Sequence, residues 1–260
     1  MIIDGHAHVW PDAVAEKALA GVPGLSRVGD GTLAGLEAAM AEAGVDRAVC
    51  LGVAPAGSYV QAANDFLGGL DRERFIGFGS VHPDLSPEEN LQSLRANGLR
   101  GVKLHPIFQG YRLDDPRVLA ILEALRGEYV VVAHVGPVAG GAGEGERCTP
   151  AMIRAIVEQL PGLDLIACHF GGYRVLDEAE EHVIGLPVHV DTAWPPSLAE
   201  IDPARLREIV RRHGVERVVF ASDWPMGSIG REIDSVRALG LTAEEEDAIL
   251  GGNLARLLGL

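Results

Sequence analysis

The chain has 260 residues, 47% hydrophobic and 23% charged, enough for a full core and a natural length for a single α/β barrel spanning residues 1–260. Its formal net charge of −15 argues against a nucleic acid partner, and no apolar run of about twenty residues is present to span a bilayer. The start lacks the pattern of a signal peptide, and three cysteines (Cys50, Cys148, Cys168) without a Cys-x-x-Cys pair fit a reducing cytoplasm. The expected partner is therefore a small-molecule substrate, with self-association left open.

Taken in order, apolar and β-branched runs occur at Met1–Asp4, Arg47–Val53, Phe75–Val81, Leu99–Leu104, Tyr129–His134, Leu163–His169, Val188–Thr192 and Arg217–Asp223. Helical periodicity fills the gaps. Near-continuous apolar strands alternating with helices predict a parallel sheet covered on both faces, and eight such units predict a closed (β/α)8 TIM barrel. Helix punctuation agrees. Ser86-Pro87-Glu88-Glu89 and Thr242-Ala243-Glu244-Glu245 are capping boxes, and Asp202-Pro203 opens a helix that stops near Gly214. An open doubly wound sheet is the alternative, but it would spread the strand ends in a line.

The polar residues cluster at those ends. The first strand leads into Asp4, His6 and His8, the third into Ser80 and His82, and the fourth into Lys103 and His105. The fifth ends in His134, the sixth in His169, the seventh carries His189 and Asp191, and the eighth ends in Asp223. Side chains two apart on a strand share a face, so His6 and His8 reach one point, with Asp4 a step below. Two imidazoles so placed form a chelating pair for a cation such as zinc. Seven of the nine histidines fall on predicted strands or just past their ends.

These residues resemble the amidohydrolase superfamily of metal-dependent TIM-barrel enzymes, most closely its amidohydrolase-related branch with aminocarboxymuconate-semialdehyde decarboxylase-like members. The likeness rests on Asp-Gly-His-Ala-His at 4–8, Gly-Val-Lys-Leu-His-Pro at 101–106, Ala-His at 133–134, Cys-His-Phe-Gly-Gly at 168–172, Ser-Asp-Trp-Pro at 222–225 and Gly-Asn-Leu-Ala-Arg-Leu-Leu at 252–258. The resemblance implies metal ligation by His6, His8, His134 and Asp223, and it implies that His169 faces bound water or substrate. It implies one divalent ion, most simply Zn2+, with a second ion if Lys103 is carboxylated and bridges two metals. Otherwise Lys103 is a cation for substrate or is bonded within the pocket.

The expected activity is hydrolysis of a small-molecule amide, lactone or related ester by metal-activated water, with Asp223 and His169 as catalytic residues. The alternative is metal-dependent, non-oxidative decarboxylation of an unsaturated or aromatic acid, and a non-catalytic metabolite binder is a third possibility. Trp10, Tyr173, Trp194 and Trp224 are expected at an apolar rim. Arg112 or Arg147 is a candidate clamp for an anionic substrate, against an ordinary solvated role. Asp4 is either a carboxylate holding a ligand histidine or a structural turn contact. His105 is expected to pack in its loop, Gly140–Gly145 is a candidate lid, and Cys168 should point outward beneath the helices.

Overall fold

The computed structural model describes residues 1–20, 26–138 and 144–260. In chain order they form β1 (Ile3–Ala7), α1 (Asp12–Ala20), α2 (Leu33–Ala43), β2 (Arg47–Leu51), α3 (Gly57–Gly68), β3 (Phe75–Ser80), α4 (Pro87–Ala96), β4 (Gly101–Leu104), α5 (Pro106–Gln109) and α6 (Pro116–Leu125). There follow β5 (Val130–Ala133), α7 (Pro150–Gln159), β6 (Leu165–Ala167), α8 (Leu176–His182), β7 (His189–Asp191), α9 (Pro203–His213), β8 (Val218–Val219), α10 (Ile229–Arg237), α11 (Ala243–Asp247) and α12 (Asn253–Leu258). Both predicted capping boxes form, at Ser86/Glu89 and Thr242/Glu245, and Asp202 caps α9.

The eight strands pair in sequential order and every pair is parallel. The ring closes where the chain beyond β8 meets β1. Gly5 N–H donates to Phe220 C=O at 2.9 Å, Asp223 N–H to His6 C=O at 2.8 Å, and His8 N–H to Trp224 C=O at 2.7 Å. The regular part of β8 is short because the next donors are taken from outside the ladder. Phe220 N–H goes to Ile249 C=O, Ala221 N–H to Thr192 Oγ1, and Ser222 N–H to Asp4 Oδ1.

Alternation divides the strand side chains into two layers. Ile3, Val49, Leu51, Ile76, Phe78, Val130, Val132, Ile166 and Val219 fill the barrel with Leu254 and Leu258 of α12. Ala48, Cys50, Val102, Leu104, Val131, Leu165 and Val190 pack outward under the helices. β1 runs past its predicted end and β4 stops where expected, while the other six strands stop earlier than the apolar runs suggest. His8, His82, His105, His134, His169 and Asp223 therefore lie just past the strand ends, at the mouth where barrel enzymes carry their chemistry.

Two local departures from strand geometry set which residues face inward. β1 slips register against β2: Asp4 pairs with Ala48 and Ala7 with Cys50, three residues against two. This extra residue changes the facing parity between Ile3 and His6, so His6 and His8 turn to the mouth. At the end of β6 the backbone enters the left-handed region at His169 (φ 61°) and Phe170 (φ 51°). Simple alternation therefore fails there. Cys168 continues the inward face begun by Ile166, which corrects the outward placement expected for it. His169 reaches the mouth from the turn that follows.

Candidate active site

Three ligand-type atoms, from His6, His8 and Asp223, lie within 4.8 Å of one another at the mouth, all in buried residues. The His6 and His8 Nε2 atoms are 3.1 Å apart, and Asp223 Oδ1 stands 3.3 Å from the first and 3.5 Å from the second. Their orientation is held from behind. His6 Nδ1 donates to Asp191 Oδ2 at 2.9 Å, and His8 Nδ1 donates to the Leu51 carbonyl at 3.0 Å. Each ring therefore keeps its Nε2 lone pair toward the cluster.

A second pair faces the same way. His169 Nδ1 donates to Ala193 C=O at 2.9 Å and His134 Nε2 to Gly136 C=O at 3.2 Å. His169 Nε2 and His134 Nδ1, left without protons, meet at 3.0 Å. Gly136 has φ 95°, and a Cβ there would come within 2.3 Å of Tyr173 C=O, so the loop that holds His134 requires glycine.

Burial sets the protonation states. His6 and His134 are pushed well below the usual imidazole value, mainly by burial and further by Lys103 and His105 respectively. His8 is brought down to about 3 and His169 to about 4, again chiefly by burial. Neutral imidazole is the form that binds a metal. Burial drives the Asp223 carboxyl well above its ordinary range, against the pull of Lys103. Asp223 Oδ1 is buried and has no hydrogen-bond partner among the described residues, and its backbone is held at φ 58°. A buried carboxylate oxygen without a donor, facing two proton-free imidazole nitrogens, fits a cation and is costly without one. His134 stands outside this three-atom group and meets His169, whose ring is 5.5 Å from that of His6.

The other anticipated residues divide. Trp10 stacks on His8, with ring centres 5.9 Å apart, and lines the cavity. Tyr173 lines it too, its hydroxyl bonded to Pro195 C=O at 2.7 Å. Trp194 and Trp224 are buried and do not line the wall. Lys103 is fully buried below the floor, with Nζ 3.1 Å from His6 Nε2 and 3.2 Å from Cys168 Sγ. It is not among the cavity-lining residues, and of the roles open to it this placement matches the one bonded within the pocket, beneath the histidines. Arg112 is likewise not at the cavity. It is exposed, paired with Asp114 and bonded to Glu146 C=O, because its loop turns outward over the barrel rim. His189 sits at the start of β7, the end remote from the mouth. The candidate lid lies outside the described residues through residue 143.

Three further residues take definite places in the structure. Asp191, on β7, holds His6 and also accepts His169 N–H at 2.6 Å. Asp4 is the structural carboxylate, accepting from Ser222 N–H, Ser222 Oγ and His6 N–H, with burial raising its pKa to about 6. His105 stacks face to face on His134, centroids 4.2 Å apart at 11°, and on Phe108 at 4.0 Å. Its position two residues beyond Lys103 was the available signal. The cavity above these groups measures about 590 Å3 and is walled mainly by apolar side chains.

Fold and site together define a TIM-barrel enzyme with a metal-type donor cluster at its mouth. The chain belongs to the amidohydrolase family, whose model, described as Amidohydrolase, matches residues 3–260. No curated protein matches it at a significant level of sequence similarity. Among solved structures it is similar to 5-carboxyvanillate decarboxylase of Sphingomonas paucimobilis, at 16% identity and TM-score 0.75, covering 100% of this chain and 99% of that one. It is also similar to a dihydroxybenzoic acid decarboxylase of Polaromonas with bound manganese and the inhibitor 2-nitroresorcinol, at 16% identity and TM-score 0.75, covering 100% and 97%. A third likeness is to a probable 2-pyrone-4,6-dicarboxylic acid hydrolase of Acinetobacter baumannii with citric acid bound, at 18% identity and TM-score 0.70, covering 100% and 99%. At these identities the shared property is the barrel. Among the described residues no helix is long and apolar enough to cross a membrane.

Proposed function

We propose that the protein is a metal-dependent, non-oxidative decarboxylase of an aromatic or unsaturated carboxylic acid. One observation carries this reading: a mainly apolar cavity sits directly on the His6–His8–Asp223 cluster, and its only other charged lining groups, among the described residues, are the cations Lys17 and Arg27. Such a chamber suits an apolar body bearing negative charge. The order of the two activities expected from the sequence is thus reversed, with support from the decarboxylases among the similar structures.

His6, His8, Asp223 and His134 would hold one divalent ion. Imidazole and carboxylate donors suit zinc and also manganese, the ion in the Polaromonas structure. When bound, the ion supplies Lewis-acid stabilisation of negative charge on substrate oxygen. Trp10 and Tyr173 hold the substrate ring over the floor, and their bulk excludes water. His169 orients a substrate oxygen through Nε2, the ring being fixed by its bond to Ala193. As the bond to the carboxylate breaks, its electron pair stays on the ring carbon and CO2 leaves. That carbon takes a proton from Asp223 Oδ2, and solvent later restores it. A carboxyl group has two oxygens, so one can face the ion while the other carries the proton.

Hydrolysis of an amide, lactone or ester is the second reading, favoured by the position of Asp223 beside the two imidazoles, where its carboxylate can equally accept a proton from water. The test is to incubate metal-loaded protein with a panel of hydroxylated aromatic acids and a parallel panel of lactones and amides. CO2 release from an acid supports the proposal. Turnover confined to the lactones or amides overturns it.

A further inference from the structure

Helices of a barrel's outer ring bury one apolar stripe against the strands. α3 does this with Val60, Asn64 and Leu67. It also carries a second stripe, Tyr59, Ala62, Ala63 and Phe66, spaced i, i+3, i+4, i+7, which lines the cavity. α1 repeats the arrangement. Ala15 and Leu19 anchor it, while Val14, Lys17 and Ala18 face the same cavity. Tyr59 is 58% exposed and Val14 43% exposed, so among the described residues these cavity-lining apolar groups are left largely uncovered. The same two helices line the cavity with the small residues Ala18, Ala62 and Ala63, which leave room for a slot there.

The cavity that the histidines floor is lined by Lys17 and Arg27 as well. Arg27 is tethered through its guanidinium to the Leu19 carbonyl. Two cations on the wall of a mainly apolar cavity stand out on a chain of net charge −15. The cavity volume of about 590 Å3 lies within the ~300–1,000 Å3 typical of drug-sized ligands, so a lone aromatic ring would leave much of it unfilled.

We propose that the α1–α3 slot is a subsite for an extended apolar arm with an anionic end. The substrate is then a dianionic acid longer than one ring. Its reacting carboxylate sits at the histidine floor, its arm between Ala18, Ala62 and Ala63, and its distal anion against Lys17 and Arg27. The proposal rests on the decarboxylase reading for which end reacts, but the subsite itself is measurable by binding alone.

The probes are benzoate, biphenyl-4-carboxylate and biphenyl-4,4′-dicarboxylate, titrated calorimetrically into the metal-loaded, full-length protein. The second ring should tighten binding about tenfold, from its additional heavy atoms in apolar surroundings. The second carboxylate should tighten it by a further factor of about three, and this gain should fade at high salt. In Ala63→Phe, and independently in Ala18→Phe, the ratio of biphenyl to benzoate affinity should fall to near one, with the thermal midpoint confirming a folded protein. Lys17→Ala combined with Arg27→Ala should erase only the gain from the second carboxylate. Equal affinity for all three probes, no binding of any, or biphenyl selectivity that survives both phenylalanine variants would overturn the subsite. If the selectivity appears and no acid in the activity panel releases CO2, the subsite stands and the assigned reaction falls. If CO2 comes only from single-ring acids while selectivity is absent, the reaction stands and the subsite falls.

Discussion

Asp191 and His6, 185 residues apart in the sequence, are joined inside the barrel by a 2.9 Å hydrogen bond from imidazole Nδ1 to carboxylate Oδ2. Asp191 also accepts the His169 backbone N–H at 2.6 Å. One carboxylate on β7 therefore aims a ligand-type histidine of β1 and anchors the turn that carries His169. Neither partner is exposed, so the bond is not weakened by competing water.

Asp191→Asn keeps the shape but replaces one anionic acceptor with an amide. The His6 tautomer is then no longer enforced. Metal affinity should fall about 10- to 100-fold, as is usual when the partner behind a ligand imidazole is lost. Competition with a chromogenic chelator measures this, and unchanged affinity would remove Asp191 from the assembly.

Replacing both His6 and His8 by Ala should eliminate two of the three clustered donors and most bound metal. The barrel should still fold, because its core of strand side chains lies below the mouth. Elemental analysis of the purified double variant gives the answer. Stoichiometric metal in that variant would show that the ion is held elsewhere.

His169→Ala tests the catalytic role proposed for a histidine apart from the three-atom cluster. Its turnover should fall by about 10²–10⁴, the range for losing a positioned acid or base, with the loss mainly in kcat. Metal content should stay near one ion per chain. A merely structural histidine would instead lower the thermal midpoint and leave kcat per folded molecule intact.

Glu232, 1% exposed on α10, accepts Leu198 N–H at 2.9 Å, while its Oε1 is buried without a partner. Burial raises its pKa to about 7 from an ordinary 4.5. The unfolded chain thus releases this proton at lower pH than the folded one. The stability contributed by the protonated form is complete below about 4.5 and is lost as pH rises through about 7. Glu232→Gln should therefore raise the thermal midpoint by a few degrees at pH 8 and change it little near pH 4. An equal shift at both pH values would contradict a titrating Glu232.

The barrel was legible because its signals are local. Eight apolar runs, the capping boxes and the spacing of polar residues at strand ends each depend on a few neighbouring residues, and all point to one architecture. The pairing of His6 with His8 was legible for the same reason, since strand geometry relates residues two apart. Asp223 could be found from the Ser-Asp-Trp-Pro motif at the end of the eighth run.

What the sequence determined by itself, then, was the kind of fold and the residue types at its mouth. The tertiary structure decided which of them converge and which way they face. A register slip in β1 turned His6 and His8 to the mouth and left Asp4 bonded to Ser222. A left-handed backbone at His169 put two successive residues, Cys168 and His169, on the inner side where alternation allows one. Arg112 turned out to solvent, and Asp191 entered behind His6. Bulges and positive φ angles arise from closing eight strands into one ring, and contacts across that ring join residues far apart along the chain. Periodicity reports neither, because it records only how each residue relates to its near neighbours.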